Sequence, residues 1–454
     1  MPPVRYPDDF LWGVATSAYQ IEGAVAEGGR APSIWDTFSH APGRTHNRET
    51  GDIAVDHYHR VAGDVALMEE IGVNAYRFSI SRPRLVPNLD GPVNAAAVRF
   101  YRDLLEKLHG AGITPVATLY HWDLPQSLQD RGGWLNPKSS DWFAGYAAAA
   151  VENLGDLVPL WLTLNEPWCA AFMGYGSGVH APGITDPGSS YVAAHNMMLA
   201  HHKAVGAMRA ASPGHGINVG IALNLIPTWP ASDASADREV ADAVNMVHNW
   251  QFTDAVFHGT YPELILEYHR RFGVADRIDA TPMADVRQDI DYLGINYYNV
   301  NRFRYEAGAP PPGEYPGADG AVPVMPPGHL TDMGWGVEPT GLRWMLDQVV
   351  ANYPHVPLYI SENGAAYPDE VTGDGAIQDQ LRIDYLQKHT AVVAGAVAAG
   401  IDLRGYFVWS LLDNYEWAEG YRMRFGLVRV DRGTQERTIR SSGHWYRDFI
   451  SKAR

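Results

Sequence analysis

The sequence contains a single cysteine, Cys169, and few positive charges. One thiol cannot form an internal disulfide or supply a ligand cluster for zinc or iron and sulfur, so the chain fits a reducing compartment and we expect it in the cytoplasm. Lys and Arg total 35 against 52 Asp and Glu, a formal charge of −17, and no basic run is present. This balance argues against a nucleic acid or an anionic membrane as a partner.

Long hydrophobic runs are also missing. The N-terminus has no charged segment followed by an apolar one, and the longest apolar stretch, at 391–401, is too short to span a bilayer. The composition is nevertheless globular, with 46% hydrophobic residues, and it allows a large core. The unusual feature is 14 Trp and 24 Tyr among 454 residues, which suggests that some of these aromatic side chains have a role besides core packing.

Eight apolar segments rich in β-forming residues recur along the chain and predict eight strands. They lie at 10–15, 73–80, 113–120, 158–164, 217–223, 290–296, 357–360 and 403–409. Stretches with helical periodicity separate them, for example 96–109 and 378–399. Near-continuous apolar strands are typical of a parallel sheet buried on both faces. The alternation predicts the α/β class and a single (β/α)8 TIM barrel domain over 1–454.

A minimal barrel needs about 250 residues, so the remainder must lie in long βα-loop insertions. Candidate insertions are 30–50, 174–190 and the Pro/Gly-dense segment 306–328. The last segment could instead be an interdomain linker, but only two strand units follow it, too few for a second complete fold. A doubly wound nucleotide-binding sheet is disfavoured as well, because no G-x-G-x-x-G turn follows the first strand.

Polar residues close most of the predicted strands, and in a TIM barrel that edge carries the active site. They are Gln20, Arg77, Ser79, Ser81, His121, Asp123, Asn165, Asn224, Asn296, Tyr298, Asn363 and two glutamates. Any one of them could be an ordinary cap or loop hydrogen bond, but so many together indicate a site. The glutamates, Glu166 and Glu362, follow strands four and seven and face the same mouth. Paired carboxylates of this kind suit glycoside hydrolysis.

The tryptophans support a carbohydrate ligand, because a sugar offers an apolar C–H face for stacking and a rim of hydroxyls for polar groups. Trp12 and Trp161 lie within strands, and we expect them in the core. Trp168, Trp409 and Trp417 stand beside polar partners, and we expect them to be platforms for a sugar.

The motifs resemble those of glycoside hydrolase family 1, the β-glucosidases, over essentially the whole chain. They are FLWGVATSAYQIEG (10–23), YRFSIS (76–81), TLYHWDLP (118–125), TLNEP (163–167), LGINYY (293–298), YISENG (359–364), WSLLDNYEWAEGY (409–421) and RFGL (424–427). The resemblance implies one barrel domain that hydrolyses terminal β-glucosyl residues with retention of configuration, and no cofactor or metal.

The resemblance also implies a role for each matching residue. Glu166 would be the general acid/base and Glu362 the nucleophile, with catalytic support from Arg77, Asn296 and Tyr298. The residues that would bind the non-reducing sugar are Gln20, His121, Asn165, Trp409, Glu416 and Trp417. Trp168 and Trp335 would line the aglycone side.

Two features narrow the expected substrate. Relatives that act on 6-phosphorylated glycosides have phosphate-binding residues, including a Lys, where this chain has Glu416 and Trp417, so we expect unphosphorylated β-glucosides such as cellobiose and aryl glucosides. Myrosinase-like and klotho-like relatives lack a catalytic glutamate, whereas Glu166 and Glu362 are both present. The sequence leaves open the oligomeric state, the aglycone and a preference for galactosides or fucosides. It also leaves open a non-catalytic sugar-binding protein on the same scaffold.

One substitution and a group of histidines also bear on the expected activity. Arg82 stands where the family usually has Trp, which bears on aglycone preference and not on the chemistry. Histidines such as His57 and His59 could suggest a metal-dependent barrel hydrolase. That alternative is disfavoured because no His-x-His closes the first strand and no Lys or His set closes the later ones.

Overall fold

Eight parallel strands form a closed barrel in the computed structural model, which describes residues 5–89, 91–212, 214, 216–373 and 375–454. The strands are β1 (Leu11–Ala15), β2 (Ala75–Ser79), β3 (Thr114–Tyr120), β4 (Leu160–Asn165), β5 (Asn218–Asn224), β6 (Tyr292–Asn296), β7 (Leu358–Asn363) and β8 (Leu403–Trp409). Each pairs with its neighbours in chain order, and β1 closes the barrel on β8, where Ala15 pairs with Trp409. The predicted (β/α)8 barrel is confirmed.

Helices connect consecutive strands on the outside of the barrel. The longer ones are His57–Ile71, Ala95–Gly110, Ser139–Leu154, Pro187–Ala211, Ser235–Asn245, Gln251–His258, Glu263–Arg271, Pro339–Asn352, Gln380–Ala398 and Ser441–Ala453. The predicted helix at 96–109 shows why the pattern works. Its apolar residues recur every three or four positions and are buried against the barrel, and the Asn94 side chain caps its N-terminus by accepting from the Ala96 amide at 3.0 Å.

The end of β7 differs from the sequence prediction. The apolar run stops at Ile360, but the strand continues to Asn363, and Glu362 pairs with Asn296 of β6 after a register shift that follows Ile360. Polar residues extend this strand because their backbone groups join the ladder whatever their side chains are. Glu362 therefore lies on the strand itself and not in the loop that follows it.

The predicted insertions are loops of this barrel, and part of each is regular. The segment at 30–50 contains the helix Ile34–His40, whose N-terminus is closed by a capping box between Ser33 and Asp36. The segment predicted as a loop at 174–190 begins in the π-helical stretch Cys169–Gly176 and ends in the helix that starts at Pro187. The segment at 306–328 is not a linker, because β7 and β8, which follow it, complete the same barrel.

A small sheet outside the barrel is formed by segments that follow β5 and β6. Its strands are Thr228–Pro230, Asn301–Tyr305 and Ala321–Pro323, and the middle one pairs with both others. It joins the insertion after β5 to the one after β6. Two further hairpins pair Glu370–Val371 with Ile377–Gln378 and Val428–Val430 with Arg437–Ile439.

The core follows the sequence expectation for the strand tryptophans. Trp12 and Trp161 are both almost fully buried, at 1% and 0% exposure.

Within the described ranges, no helix is long and apolar enough to cross a membrane. The described residues also contain no cluster of three or more His, Cys, Asp or Glu side chains suited to holding a metal ion.

Candidate active site

A cavity of about 350 Å³ opens at the carboxyl ends of the barrel strands. Nine predicted site residues line it: His121, Glu166, Trp168, Tyr298, Trp335, Glu362, Trp409, Glu416 and Trp417. The other four, Gln20, Arg77, Asn165 and Asn296, lie just behind and hydrogen-bond to lining side chains. All thirteen predicted residues are therefore brought together around one cavity.

Glu362 is held by a cation and a phenol. Its Oε1 lies 2.5 Å from Nη1 of Arg77, a residue of β2, and its Oε2 accepts a hydrogen bond of 2.5 Å from the Tyr298 hydroxyl. Burial raises the pKa of Glu362, while Arg77 and Tyr298 oppose that rise because both favour the anion. The loop turns at Gly364, where any side chain would overlap the Trp409 carbonyl, so glycine is required there. Glu362 is thus a fixed carboxylate at the cavity floor.

Glu166 has a different environment. It follows β4 with a left-handed backbone, φ 47°, a conformation that costs a non-glycine residue about 1–3 kcal/mol. Its Oε1 accepts from Asn296 Nδ2 at 2.7 Å, and its Oε2 accepts from the Cys169 thiol at 3.3 Å. Burial and the charge of Glu362 raise the pKa of Glu166 to about 8. With no cation bonded to it, Glu166 holds a proton at neutral pH.

A network of three side chains joins the two glutamates. Arg77 donates to the side-chain Oδ1 of Asn165 at 2.6 Å, and Asn296 Nδ2 donates to that same oxygen at 2.9 Å. Arg77 also donates to Oδ1 of Asn296 at 3.4 Å. Since Arg77 bonds to Glu362 and Asn296 bonds to Glu166, the network spans both carboxylates and fixes their relative position. This is the arrangement in which two carboxyl groups can act on one bond.

Gln20 and Glu416, two of the residues predicted to bind the sugar, form a polar group. Gln20 donates through Nε2 to Glu416 Oε2 at 3.3 Å and also to the Tyr415 carbonyl at 2.9 Å. Burial, and then the charges of Glu362 and Glu166, raise the pKa of Glu416 to about 8. A group of this kind both donates and accepts hydrogen bonds and suits a sugar hydroxyl.

A ring surface consists of His121, Trp409 and Trp417. The His121 ring lies nearly parallel to the Trp409 ring, with centroids 5.7 Å apart, and to the Trp417 ring at 6.0 Å. Burial, with Arg77 nearby, lowers the pKa of His121 well below its usual value, so the imidazole is neutral. Asn165 Nδ2 lies 3.1 Å from its Nε2 and fixes the ring orientation. Flat rings beside polar groups suit the two surfaces of a sugar ring.

The outer part of the cavity contains the two tryptophans assigned to the aglycone side. Trp168 packs on His248, with ring centroids 4.0 Å apart, and on Tyr315 at 5.3 Å. Trp335 packs beside Tyr298, with centroids 5.4 Å apart. The wall is largely aromatic and presents flat apolar surface to whatever the sugar is attached to.

Several lining residues were not identified as site residues from the sequence. The sequence places Asn224 at the end of a strand and indicates no site role for Cys169, yet both line the cavity. His248 and Tyr315 come from the insertions after β5 and β6, where no spacing pattern points to the barrel mouth. Of these four residues, only Asn224 has a signal in the sequence that could have placed it in the cavity lining, namely its position at the end of a barrel strand.

Some strand-end residues lie away from the cavity. Asn363 donates to the Tyr297 carbonyl at 2.6 Å and accepts from the Tyr406 hydroxyl at 2.6 Å, so it joins barrel strands to one another. Ser79 accepts from the Ala18 amide at 2.7 Å and ties β2 to the turn after β1. For these two residues the ordinary structural interpretation is correct.

Arg82, the departure from the family pattern, does not line this cavity. It is 3% exposed, its guanidinium lies 5.2 Å from the Tyr146 ring centroid, and it donates to the Trp142 carbonyl at 3.1 Å. Burial lowers the pKa of Arg82 to about 10, so it stays charged at neutral pH. Its position gives it no direct contact with an aglycone.

The whole chain is similar to enzymes of one family. The profile of Glycosyl hydrolase family 1 matches residues 3–454. Beta-glucosidase A of Thermotoga maritima is 43% identical over 98% of this chain and 98% of its own length. The bifunctional beta-D-glucosidase/beta-D-fucosidase of Bifidobacterium breve is 42% identical, again with 98% of both chains covered.

Solved structures agree with the sequence comparison. The family 1 β-glucosidase from Thermotoga maritima superposes with a TM-score of 0.94 at 42% identity, covering 99% of both chains. The same enzyme in complex with deoxynojirimycin gives a TM-score of 0.93. The predicted family and enzyme class are confirmed: the chain belongs to glycosyl hydrolase family 1 and is a glycoside hydrolase, the class of enzyme to which its β-glucosidase relatives belong.

Proposed function

We propose that the protein is a retaining β-glucosidase that removes terminal non-reducing β-D-glucosyl residues from unphosphorylated β-glucosides. Its substrates would include aryl glucosides and short β-linked oligosaccharides such as cellobiose. The observation that carries the proposal is the contrast between two buried glutamates: Arg77 and Tyr298 bond to Glu362, whereas only neutral donors bond to Glu166. The proposal includes a single barrel domain over 1–454 and, from the single cysteine, a cytoplasmic location.

The first step divides the work between the two glutamates. Glu362, kept ionised by Arg77, attacks the anomeric carbon through an oxocarbenium-like transition state. Glu166 gives its proton to the glycosidic oxygen as the bond from that oxygen to the anomeric carbon breaks, and the aglycone leaves as a neutral alcohol. The sugar is then an ester of Glu362, which has lost its negative charge.

The second step reverses the role of Glu166. Burial still raises the pKa of Glu166 in this step, but loss of the Glu362 charge removes the second cause, the repulsion, so the pKa falls and the group can act as a carboxylate. It takes a proton from water as that water attacks the anomeric carbon, and the ester bond to Glu362 breaks. Two inversions at one carbon give net retention, and both glutamates return to their starting states.

Retention gives a direct test of this mechanism. When an aryl β-glucoside is hydrolysed in an NMR tube, we expect β-glucose to be the first anomer observed, with the α anomer growing only by mutarotation, because two successive displacements restore the starting configuration. The measurement is the ratio of the two anomeric proton signals during the first minutes. If α-glucose were formed first, the nucleophile role of Glu362 would be wrong.

Glu416 predicts discrimination against phosphorylated sugars. A phosphate on the sugar would meet the Glu416 side chain in the cavity lining, and the Glu416 anion, which forms as the pH rises through about 8, repels it at a cost of several kcal/mol. We expect kcat/KM at pH 8 for 4-nitrophenyl β-glucoside 6-phosphate to be at least about hundredfold below that for the unphosphorylated compound. In Glu416→Gln the ratio should narrow. Equal rates for the two substrates with the wild-type protein would contradict an unphosphorylated specificity.

A second candidate specificity is a broad β-glycosidase that prefers galactosides or fucosides. It is favoured by one observation, the relative named as both glucosidase and fucosidase at 42% identity. Initial rates with nitrophenyl β-glucoside, β-galactoside and β-fucoside at equal concentration decide between them. The highest kcat/KM with the glucoside supports the first proposal, and the highest value with either other sugar supports the second.

A further inference from the structure

Cys169, the single cysteine of the chain, lies between Glu166 and the outer wall of the cavity. Its sulfur donates to Glu166 Oε2 at 3.3 Å and accepts from the Asn224 side-chain amide at 3.5 Å. The side chain is buried, and it forms part of the cavity lining. Burial, together with the negative charge of Glu166, raises the pKa of the Cys169 thiol well above its usual value. The sulfur therefore keeps its proton and can act as a donor.

Further hydrogen bonds extend from Cys169 along the aglycone wall. The Asn224 amide nitrogen lies 3.1 Å from Nε2 of His248, and His248 Nδ1 lies 3.1 Å from the Tyr315 hydroxyl. Burial lowers the pKa of His248 to about 3, so every member of this chain of contacts beyond Glu166 is uncharged at neutral pH. This series of hydrogen bonds ends at Asn301, which donates to the same Tyr315 hydroxyl at 3.2 Å. Five side chains thus connect Glu166 to the small sheet outside the barrel: Cys169, Asn224, His248, Tyr315 and Asn301.

We propose that Cys169 is a positioning residue for Glu166 in both of its roles, and that Asn224 holds the thiol in place. The inference rests on the proposed acid/base role of Glu166. Asn296 can only donate to Oε1, so that oxygen is engaged in both steps. Oε2 must carry the proton in the first step and be bare in the second. A thiol is a weak donor and a weak acceptor, so it can accompany both states without retaining the proton.

Other charges that act on Glu166 set the direction of the effect. In the free protein the charge of Glu362 disfavours the Glu166 anion and Arg77 favours it, and Glu416 repels that anion only when it is itself ionised; in the glycosyl-enzyme the Glu362 charge is gone. The thiol adds a hydrogen bond to the anion. Removing the thiol should therefore keep Glu166 protonated to higher pH. That change weakens it as a base while leaving it competent as an acid.

A substrate whose leaving group needs no proton tests this effect. With 2,4-dinitrophenyl β-glucoside, turnover depends on the attack of water, in which Glu166 is the base. For Cys169→Ala we expect the acidic limb of the profile of kcat against pH to move up by about half to one pH unit. At pH values on that limb, kcat should then be about threefold to tenfold below the wild-type value. Cys169→Ser keeps a donor at this position and should restore the wild-type limb.

A second variant keeps the proposal falsifiable if Cys169→Ala fails to fold. In Asn224→Ala the thiol remains but loses its amide partner, so the limb should move in the same direction by a smaller amount. The proposal is overturned if a folded Cys169→Ala has the wild-type limb, or if Cys169→Ser shifts as far as Cys169→Ala. Absence of hydrolysis by the wild-type protein would instead contradict the proposed function itself, so the two failures are distinguishable.

Discussion

Replacing Glu362 with Gln should lower kcat for 4-nitrophenyl β-glucoside by at least about 10⁴-fold. An amide cannot attack the anomeric carbon, and no other carboxylate bonds to both Arg77 and Tyr298 at this position among the described residues. The amide oxygen can still accept from Arg77, so the variant should remain folded. The measurements are kcat from initial rates and the melting temperature by circular dichroism.

A matched control for this variant is Glu370→Gln. Glu370 is exposed on the short hairpin strand Glu370–Val371, a few residues beyond the same barrel strand, and the change should leave kcat within a factor of two. If Glu362→Gln retained kcat within tenfold while folded, the nucleophile assignment would be wrong. Equal and negligible rates for wild type and variant would instead favour the non-catalytic sugar-binding alternative.

The barrel could be predicted because each strand is buried on both faces and therefore reads as an apolar run. The same reasoning fails where a strand becomes polar. β7 was predicted to end at Ile360, but it continues through Glu362 to Asn363 because the ladder to β6 does not depend on side-chain polarity. The small outer sheet was not predicted, since its strands carry no continuous apolar run; Asn301–Tyr305 buries only Phe303, and Ala321–Pro323 has three residues.

The site could be predicted to the extent that it lies on barrel strands. Glu166, Asn296 and Glu362 stand at or next to strand ends, so the topology alone brings them together. His248 and Tyr315 reach the cavity from a π-helical turn and a long insertion. Where those segments fold depends on their packing against the whole barrel, and no local period encodes it.

The sequence also does not specify which of the two catalytic glutamates is protonated, because both are the same residue type at equivalent positions after a strand. The sequence presents two glutamates after apolar strands, and nothing in either motif states which one carries a proton. The structure separates them through two contacts, because the Arg77 guanidinium and the Tyr298 hydroxyl bond to Glu362 and not to Glu166. Burial acts on both glutamates, so the difference between an acid and a nucleophile at this site comes from those two donors, and above all from the cation.

Replacing Glu166 with Gln should have an effect that depends on the leaving group. For an alkyl β-glucoside, whose alcohol must be protonated to leave, we expect kcat/KM to fall about 10²- to 10⁴-fold. For 2,4-dinitrophenyl β-glucoside, kcat/KM should fall less than tenfold, because that phenol leaves as an anion. The measurement is kcat/KM for both substrates with wild type and variant. A similar loss for both would contradict the assignment of Glu166 as the acid.

The pH dependence of the same pair gives an independent check on Glu166. Its pKa is raised to about 8, so the protonated form needed for the first step is present below that pH and is lost above it. We expect wild-type kcat/KM for the alkyl glucoside to decline above about pH 8, and the Glu166→Gln profile to be flat there, since an amide does not titrate. A second variant, Glu166→Ala, tests the base role: azide is an anion that needs no general base, so it should accelerate turnover of the dinitrophenyl substrate by attacking the glycosyl-enzyme. If Glu166→Gln kept the alkaline decline, the titrating group would be another residue and the acid role of Glu166 would have to be abandoned.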